Sequence, residues 1–266
     1  MDLGLDGRVY VLTGASRGLG FATAQYLVAD GARVVISSRD AGKVRMAVDE
    51  LNGATAGPAA IAGSAGEARA IGIEADLGDP ETPQRLIDAA RAAFGRLDGA
   101  LLSVGGPPRG TAAEATDEQW RAAFETVFLG GVRAARTILP NLNEGGAIGF
   151  VLSTSARSPV PGLGISNGLR PGLAGVVKDM ADEYGPRGLR VFGLLPHRLL
   201  TDRNRELFAA TGDPDQALAE VAAVIPLRRL GDPAEFGRIA AFLLSPAASY
   251  LTGTSVPVDG GALRAI

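Results

Sequence analysis

The sequence predicts an α/β protein in which one doubly wound parallel sheet of about seven strands carries helices on both faces. Short apolar runs alternate with helical segments along the chain, and most of these runs are continuously apolar, as strands covered on both faces are. This alternation implies right-handed crossovers between parallel strands. No change of composition marks a second domain, so residues 1–266 are interpreted as one domain.

Each predicted strand is a short apolar run followed by a turn and then a helix-like segment. The strands are expected at Val9–Leu12, Val34–Ser37, Ala70–Glu74, Gly99–Ser103, Ala147–Leu152 and Arg190–Leu195, with Ser255–Val258 as a candidate seventh. The clearest helical segments are Leu19–Ala29, Pro83–Phe94, Glu118–Leu139 and Arg170–Glu183.

Local signals mark several element boundaries. Thr116 and Gln119 form a capping-box pattern at the start of the long helix, and Pro140 is expected to end that helix. The Gly/Ala-rich stretch Gly53–Gly66 is interpreted as a surface loop. Residues 199–225 follow a strand and form either a helical lid over a pocket or a helical excursion on the surface.

Composition excludes several classes of function. The net charge of −3 gives no basic footprint for nucleic acid. The absence of cysteine excludes disulfides and thiolate chemistry, and with a single histidine we expect no metal site. No stretch approaches the roughly 20 apolar residues that span a bilayer, and the start is unlike a signal peptide. We therefore expect a cytoplasmic protein that acts on a small molecule.

The first strand leads into a glycine-rich turn that is typical of phosphate binding. Its sequence is Thr-Gly-Ala-Ser-Arg-Gly-Leu-Gly, residues 13–20. Glycines allow a sharp turn and a close approach to a pyrophosphate, and the following helix offers free N–H groups. A tight turn without a ligand is the alternative. The candidate contacts are Gly14, Ser16, Arg17, Gly18, Leu19 and Gly20.

Over essentially its whole length the chain resembles the short-chain dehydrogenase/reductase family, whose nucleotide loop reads Thr-Gly-x-x-x-Gly-x-Gly at this position. Asp76-Leu77 is similar to the pair that the family places beside adenine. Residues 229–235, 251–253 and 258–261 resemble its closing segment, in the same order. The resemblance implies a Rossmann-like fold, a nicotinamide cofactor and a homotetramer or homodimer. It also adds Gly105, Pro196 and Thr201 to the expected cofactor contacts.

The end of the second predicted strand bears on the choice of cofactor. An acid at this place normally binds the ribose 2′-hydroxyl of NAD, but here Ser38 and Arg39 stand there. With Arg17 in the loop, this set favours the 2′-phosphate of NADP(H) over NAD(H). In the alternative interpretation, Arg39 is a solvated charge and Asp40 caps a helix.

The resemblance implies a catalytic set of Asn, Ser, Tyr and Lys, and only the serine is retained. It falls on Ser153, with Ser155 as a nearby alternative. Thirteen residues after Ser153, Ser166 replaces the tyrosine and Arg170 the lysine, while Phe128 replaces the asparagine. Serine is a weaker acid than tyrosine, and arginine stays protonated. Ser153, Ser166 and Arg170 are nevertheless the candidate catalytic residues, because positions four apart share a helix face.

Other interpretations of the same residues stay open. Ser166 is also a favoured helix N-cap, and Arg170 is also placed to pair with Asp182 or Glu183 on the surface. His197 is either a general acid or a structural loop residue. The sequence thus predicts an NADP(H)-dependent oxidoreductase for a carbonyl/alcohol pair with an atypical proton donor. The alternative is a catalytically inactive, nucleotide-binding homologue.

Overall fold

The computed structural model describes residues 2–54, 68–103, 105–209 and 212–264. Its strands are β1 Val9–Thr13, β2 Arg33–Ser38, β3 Ala70–Glu74, β4 Gly99–Ser103, β5 Ala147–Val151, β6 Arg190–Pro196 and β7 Ser255–Val258. The α-helices within these ranges are α1 Gly18–Ala29, α2 Ala41–Ala54, α3 Thr82–Phe94, α4 Asp117–Ala123, α5 Gly130–Ile138, α6 Gly164–Tyr184, α7 Asp202–Ala209, α8 Pro214–Ala223 and α9 Pro233–Leu244.

All seven strands pair in parallel, in the order β3-β2-β1-β4-β5-β6-β7. The predicted doubly wound sheet is confirmed, and the strand limits agree with the predicted ones to within one residue. The strand order reverses between β1 and β4, so a crevice opens there at the carboxyl ends of the strands.

The sheet is buried on both faces because alternate side chains of each strand enter different cores. In β1, Val9 and Val11 pack with α3, α5 and α6, whereas Tyr10 and Leu12 pack with α1, α2 and α9. Each fully buried valine or leucine contributes about 1.5–3 kcal/mol. The continuously apolar pattern of the strands therefore follows from the two helical layers.

The long predicted helix Glu118–Leu139 is present with one irregularity. The capping box of Thr116 and Gln119 opens α4, and the helix gives way to a 3₁₀ turn that contains Pro140, as expected. Between α4 and α5, however, residues Phe124–Leu129 form a π-helical turn. Such turns interrupt an otherwise continuous helix and are frequent near functional sites.

Helix α6 corrects two sequence-based interpretations. It begins at Gly164 rather than at Arg170, and Pro171 lies inside it. Gly164 makes this start possible, because a Cβ there would lie 2.3 Å from the main-chain nitrogen of Ala112. Leu163 is the N-cap, so the interpretation of Ser166 as a helix cap is wrong.

The predicted loop Gly53–Gly66 is also corrected in part. Its first two residues close α2, a helix of 14 residues, and the remainder lies outside the described residues. The segment 199–225 contains α7 and α8, which agrees with its predicted helical character, although residues 210–211 lie outside the described part of the chain.

Arg190 in β6 is buried, and its charged side chain caps the C-terminus of α9. Its guanidinium donates to the carbonyls of Leu243, Leu244 and Ser245, at distances of 2.7, 3.3 and 2.8 Å. These are carbonyls at the C-terminus of α9, where unpaired acceptors and the negative end of the helix dipole favour a cation. This contact joins the edge of the sheet to α9.

Replacing Arg190 with methionine is expected to lower the free energy of unfolding by about 3 kcal/mol, because it leaves buried carbonyls without donors. Urea denaturation measures the loss. The matched control is Arg136→Met on the exposed side of α5, which we expect to change stability by less than about 0.5 kcal/mol. Equal losses in the two variants would contradict the assigned role of Arg190.

Candidate functional site

The loop between β1 and α1 has the geometry of an anion-binding turn. Gly14 and Gly18 have φ angles of 59° and 63°, which favour glycine. A Cβ on Gly14 would lie 3.0 Å from the carbonyl oxygen of Ser103, and one on Gly20 would lie 2.9 Å from the Cα of Ala15. The close backbone packing therefore requires glycines at these positions.

Helix α1 begins without a side-chain cap. Its N-cap is Arg17, which forms no capping hydrogen bond, and no acidic residue lies in its first turn. The N–H groups of Gly18, Leu19 and Gly20 are therefore left for an external acceptor, and the helix dipole favours an anion there. This arrangement fits the pyrophosphate of a dinucleotide, with Ser16 in the same turn.

The end of β2 presents a hydroxyl and an exposed guanidinium. Ser38 is half-buried at the strand end, and the exposed Arg39 forms no ion pair or side-chain hydrogen bond among the described residues. Asp40 accepts a 3.0 Å hydrogen bond from the N–H of Lys43, so the alternative interpretation of Asp40 as a helix cap is confirmed. This bond also lowers the pKa of Asp40.

Arg17 contacts the segment after β6. Its Nη1 lies 3.4 Å from Oε1 of Glu206 on α7, and both side chains are largely exposed. Nearby, the methyl group of Thr201 lies 3.6 Å from where a Cβ on Gly18 would stand. The glycine-rich loop and the start of the segment 199–225 are therefore neighbours.

Asp76 and Leu77 follow β3 and lie beside α5. Asp76 is exposed and accepts a 2.9 Å hydrogen bond from the N–H of Gly78. A Cβ on Gly130 would lie 2.8 Å from the carbonyl oxygen of Leu77, so the first residue of α5 packs tightly against this turn. The pair lies after the carboxyl end of β3, two strands from β1, and the family resemblance assigns it to the adenine ring.

Three serines meet between the end of β5 and the start of α6. Ser153 is half-buried and its hydroxyl accepts a 3.1 Å hydrogen bond from the N–H of Ser155. The hydroxyls of Ser155 and Ser166 lie 3.0 Å apart, and both are buried. The serine that contacts Ser166 is thus Ser155, whereas Ser153 retains partial access to solvent.

Arg170 is buried and ties two strand ends together. Its Nη1 donates to the carbonyl of Val151 at 2.6 Å, and its Nη2 donates to the carbonyl of Gly105 at 2.7 Å. Burial lowers the pKa of Arg170 to about 10, so the side chain is still charged at neutral pH. Its Nε is buried and has no partner within the described ranges.

The alternative interpretation of Arg170 as a surface ion pair is wrong. The side chain points inward to main-chain carbonyls, and Asp182 instead accepts a 3.1 Å hydrogen bond from Lys178. Gly105, which supplies one of the carbonyls, has a φ of 69°. Arg170 therefore fixes the loop after β4 at the carboxyl edge of the sheet.

Glycines hold α6 against the helix pair α4–α5. A Cβ on Gly168 would lie 2.7 Å from the ring of Trp120, and one on Gly172 would lie 2.8 Å from the ring of Phe128. Phe128, which lies in the π-helical turn, stacks on Phe124 at a centroid distance of 5.2 Å. The ring of Phe128 thus fills the space between α6 and the π-helical turn, and it supplies no polar group to the site.

His197 lies at the end of β6, one residue after Pro196. Its Nδ1 lies 3.0 Å from the hydroxyl of Thr154, and the ring is half-buried. Burial lowers the pKa of His197, the positive charge of Arg198 lowers it further, and Asp259 partly opposes these effects. The imidazole is therefore neutral at pH 7.

Sequence reasoning missed Thr154 and the pairing of Ser155 with Ser166. Only the run of hydroxyl residues, Ser-Thr-Ser at 153–155, signalled them. Among the described residues there is no group of three or more His, Asp or Glu side chains that could hold a metal ion. No helix in the described ranges is long and apolar enough to span a bilayer.

The chain matches the family model described as enoyl-(acyl carrier protein) reductase over residues 14–262. It is 33% identical to a versicolorin reductase of Emericella nidulans, over 98% of this chain and 97% of that protein.

Two solved structures are similar to this chain over almost its whole length. L-sorbose reductase from Gluconobacter frateurii, complexed with NADPH and L-sorbose, has a TM-score of 0.90 at 29% identity, with 100% of both chains covered. An NADPH-bound short chain oxidoreductase from Pseudomonas aeruginosa PAO1, described as containing an atypical catalytic center, has a TM-score of 0.88 at 32% identity. The match covers 97% of this chain and 98% of that one.

His197 is expected to titrate below the ordinary histidine pKa of 6.5. Because it is the single histidine of the chain, one imidazole proton resonance reports its titration without ambiguity. Because the pKa of His197 is lower in the folded state, the unfolded chain binds the imidazole proton more tightly. The free energy of unfolding is therefore expected to fall as the pH drops below about 6.5.

Arg198→Gln removes the nearby positive charge and is expected to raise the midpoint of the His197 titration. Arg136→Gln, at the far end of α5, serves as the control and is expected to leave the midpoint in place. An unchanged midpoint in Arg198→Gln would show that the field of this arginine does not reach the imidazole.

Proposed function

The chain belongs to the short-chain dehydrogenase/reductase family and is an oxidoreductase, and we propose that it uses NADP(H) to interconvert a carbonyl and an alcohol at an atypical proton-donor site. The observation that carries this proposal is the uncapped start of α1, with Ser38 and the exposed Arg39 rather than an acid at the end of β2. The half-buried hydroxyl of Ser153 supports the carbonyl chemistry.

The residues present fit a dinucleotide phosphate. The glycine cradle and the free N–H groups of α1 suit the pyrophosphate, while Arg17, Ser38 and Arg39 suit the 2′-phosphate. Asp76 and Leu77 would flank the adenine. Both solved structures described above contain NADPH, which supports the choice of cofactor.

The nicotinamide end would lie at the carboxyl edge of β4, β5 and β6. Gly105, Arg170, Pro196 and Thr201 are assigned to this end. The cofactor, when bound, supplies the hydride to the carbonyl carbon.

Ser153 would donate a hydrogen bond to the substrate oxygen, because its hydroxyl is the accessible one of the three serines. The field of the charged Arg170 guanidinium would stabilise the negative charge that develops on that oxygen. The proton that completes the alcohol would come from water, and the buried Ser155–Ser166 hydroxyl pair would hold the loop after β5 against α6.

One observation favours the inactive homologue as a second candidate. Both Nη atoms of Arg170 are engaged by main-chain carbonyls, and the Ser166 hydroxyl is buried against Ser155. A protein that kept the nucleotide site and lost turnover would show the same contacts. NADPH consumption with a panel of ketones, quinones and keto-esters separates the two, because the inactive homologue binds NADPH and consumes none.

Ser153→Ala is expected to lower kcat/KM for carbonyl reduction by about 100-fold, the usual effect of removing one donor to a developing oxyanion. The affinity for NADPH, measured by nucleotide fluorescence, is expected to stay unchanged. Ser158→Ala, an exposed serine of the same loop, serves as the control and should keep full activity. Full activity in Ser153→Ala would remove the assigned role of this serine.

Arg39→Gln and Arg17→Gln are each expected to weaken NADPH binding by about tenfold, the loss of roughly 1.4 kcal/mol of charge-assisted contact. Binding of NADH should change little, since NADH lacks the 2′-phosphate. Fluorescence titration of both nucleotides against Arg136→Gln as the control measures the effect. Equal losses for NADH and NADPH would place these arginines away from the 2′-phosphate.

A further inference from the structure

Asn167 follows Ser166 in the first turn of α6, and its side-chain amide binds both main-chain polar groups of Val160. Its Oδ1 accepts a 2.9 Å hydrogen bond from the N–H of Val160, and its Nδ2 donates a 3.0 Å hydrogen bond to the carbonyl of Val160. Both residues are half-buried. Asn167 therefore holds the middle of the loop 157–163 against the start of α6.

The part of the loop that Asn167 holds has few main-chain donors. Val160 stands between Pro159 and Pro161, neither of which has an N–H group, and a residue before proline favours an extended backbone. The carbonyl of Val160 also accepts a 3.2 Å hydrogen bond from the N–H of Leu163, whose own carbonyl accepts a 2.8 Å hydrogen bond from the N–H of Asn167. The amide of Asn167 thus gives the single N–H of this Pro-Val-Pro segment its acceptor.

The same loop is joined to the loop after β4. Gly110 donates a 2.9 Å hydrogen bond to the carbonyl of Gly162 and accepts a 2.9 Å hydrogen bond from the N–H of Gly164. Arg170 binds the other end of the loop after β4 through the carbonyl of Gly105. That loop, which contains two adjacent prolines, is therefore held at both ends by α6 and the residues that lead into it.

Both loops lie at the strand ends next to Ser153. β4 and β5 are neighbours in the sheet, and the two loops leave them at the same carboxyl edge. The 3₁₀ turn Thr154–Ala156 connects Ser153 to the loop 157–163. Ser155 donates from its N–H to the hydroxyl of Ser153, and its own hydroxyl lies 3.0 Å from that of Ser166, the neighbour of Asn167. Hydrogen bonds thus link the start of α6 with Ser153 and with both loops.

We propose that Asn167 is a positioning residue that fixes the loops 105–110 and 157–163 as one side of the carbonyl site, so that the substrate carbonyl is oriented toward Ser153. The inference rests on the proposed function, because it concerns the orientation of the same carbonyl. Asn167 acts through Val160 and does not contact the reacting atoms. Loops that are already fixed lower the entropy lost when the substrate is bound and oriented.

Asn167→Leu removes both hydrogen bonds to Val160 and is expected to lower kcat/KM for carbonyl reduction by about 10- to 100-fold. We expect a higher KM for the carbonyl compound and a lower kcat, because the substrate is held less firmly and in a less productive orientation. The affinity for NADPH, measured by nucleotide fluorescence, is expected to stay unchanged, because the proposed phosphate contacts follow β1 and β2.

Asn141→Leu is the matched control. Asn141 is also half-buried, and its side chain donates a 2.9 Å hydrogen bond to the carbonyl of Thr137, in the segment that leads into the amino end of β5. Urea denaturation measures the stability that each variant loses, and we expect kcat/KM to fall in Asn167→Leu alone. Parental kcat and KM in Asn167→Leu, or equal falls in the two variants, overturn the inference and leave the proposed function intact.

Asn167→Asp is a milder change at the same position. It keeps an acceptor for the N–H of Val160 and loses the donor to the carbonyl, so its kcat/KM is expected to lie between those of the parent and of Asn167→Leu. This variant replaces Asn167→Leu if the latter does not fold. In that case, parental kcat and KM in Asn167→Asp overturn the inference.

Amide hydrogen exchange tests the inference when the parent reduces no carbonyl, an outcome in which the proposed function fails. The N–H groups of Val160 and Gly110 are hydrogen-bonded, so both are expected to be protected in the parent. In Asn167→Leu their exchange is expected to be faster by about tenfold or more, and in Asn141→Leu it is expected to be unchanged. Faster exchange in both loops supports the role of Asn167, and parental exchange in Asn167→Leu overturns it.

Discussion

The candidate site is organised around the buried guanidinium of Arg170. This side chain reaches from α6 to the carbonyls of Val151 and Gly105, so it links the end of β5 with the loop after β4. A charge removed from water is tolerated only where polar groups surround it, and two carbonyl oxygens at 2.6 and 2.7 Å provide that environment. The position of Ser153 at the end of β5 depends on this link.

The same link limits what Arg170 can do chemically. Its pKa of about 10 keeps it charged at neutral pH, so it acts through its field and does not transfer a proton. Each Nη donates one hydrogen bond to a main-chain carbonyl, and the buried Nε has no partner in the described structure. In the proposed mechanism the field of Arg170 would assist the Ser153 hydroxyl in stabilising the oxyanion, and the proton would come from water.

Elements with strong local patterns were predictable from the sequence. The predicted limits of the strands lie within one residue of the observed limits, because each strand is a continuous apolar run. The turn between β1 and α1 was evident from its glycines. Helix α2 was missed because its sequence ends in Gly53-Ala54, at the edge of a Gly/Ala-rich stretch. The start of α6 was misplaced because it depends on Gly164 fitting against Ala112, a contact that periodicity does not reveal.

The contacts of the site were less predictable because they join distant parts of the chain. Arg170 and Gly105 are 65 residues apart, and Thr154 and His197 are 43 residues apart. Spacing alone placed Ser166 and Arg170 on one helix face, but it did not show that Ser166 is buried against Ser155. Which hydroxyl remains accessible is a property of the packed structure, and the role proposed for Ser153 is based on it.

Ser166 and Arg170 stand where the family resemblance places a tyrosine and a lysine, so the proposed site would lack a group as acidic as a phenol beside the reacting oxygen. Positioning can offset part of that loss, because orienting a substrate correctly removes much of the entropic barrier to reaction. In the proposed site, the local contribution to catalysis would be the hydrogen bond from Ser153 to the oxygen on which charge develops.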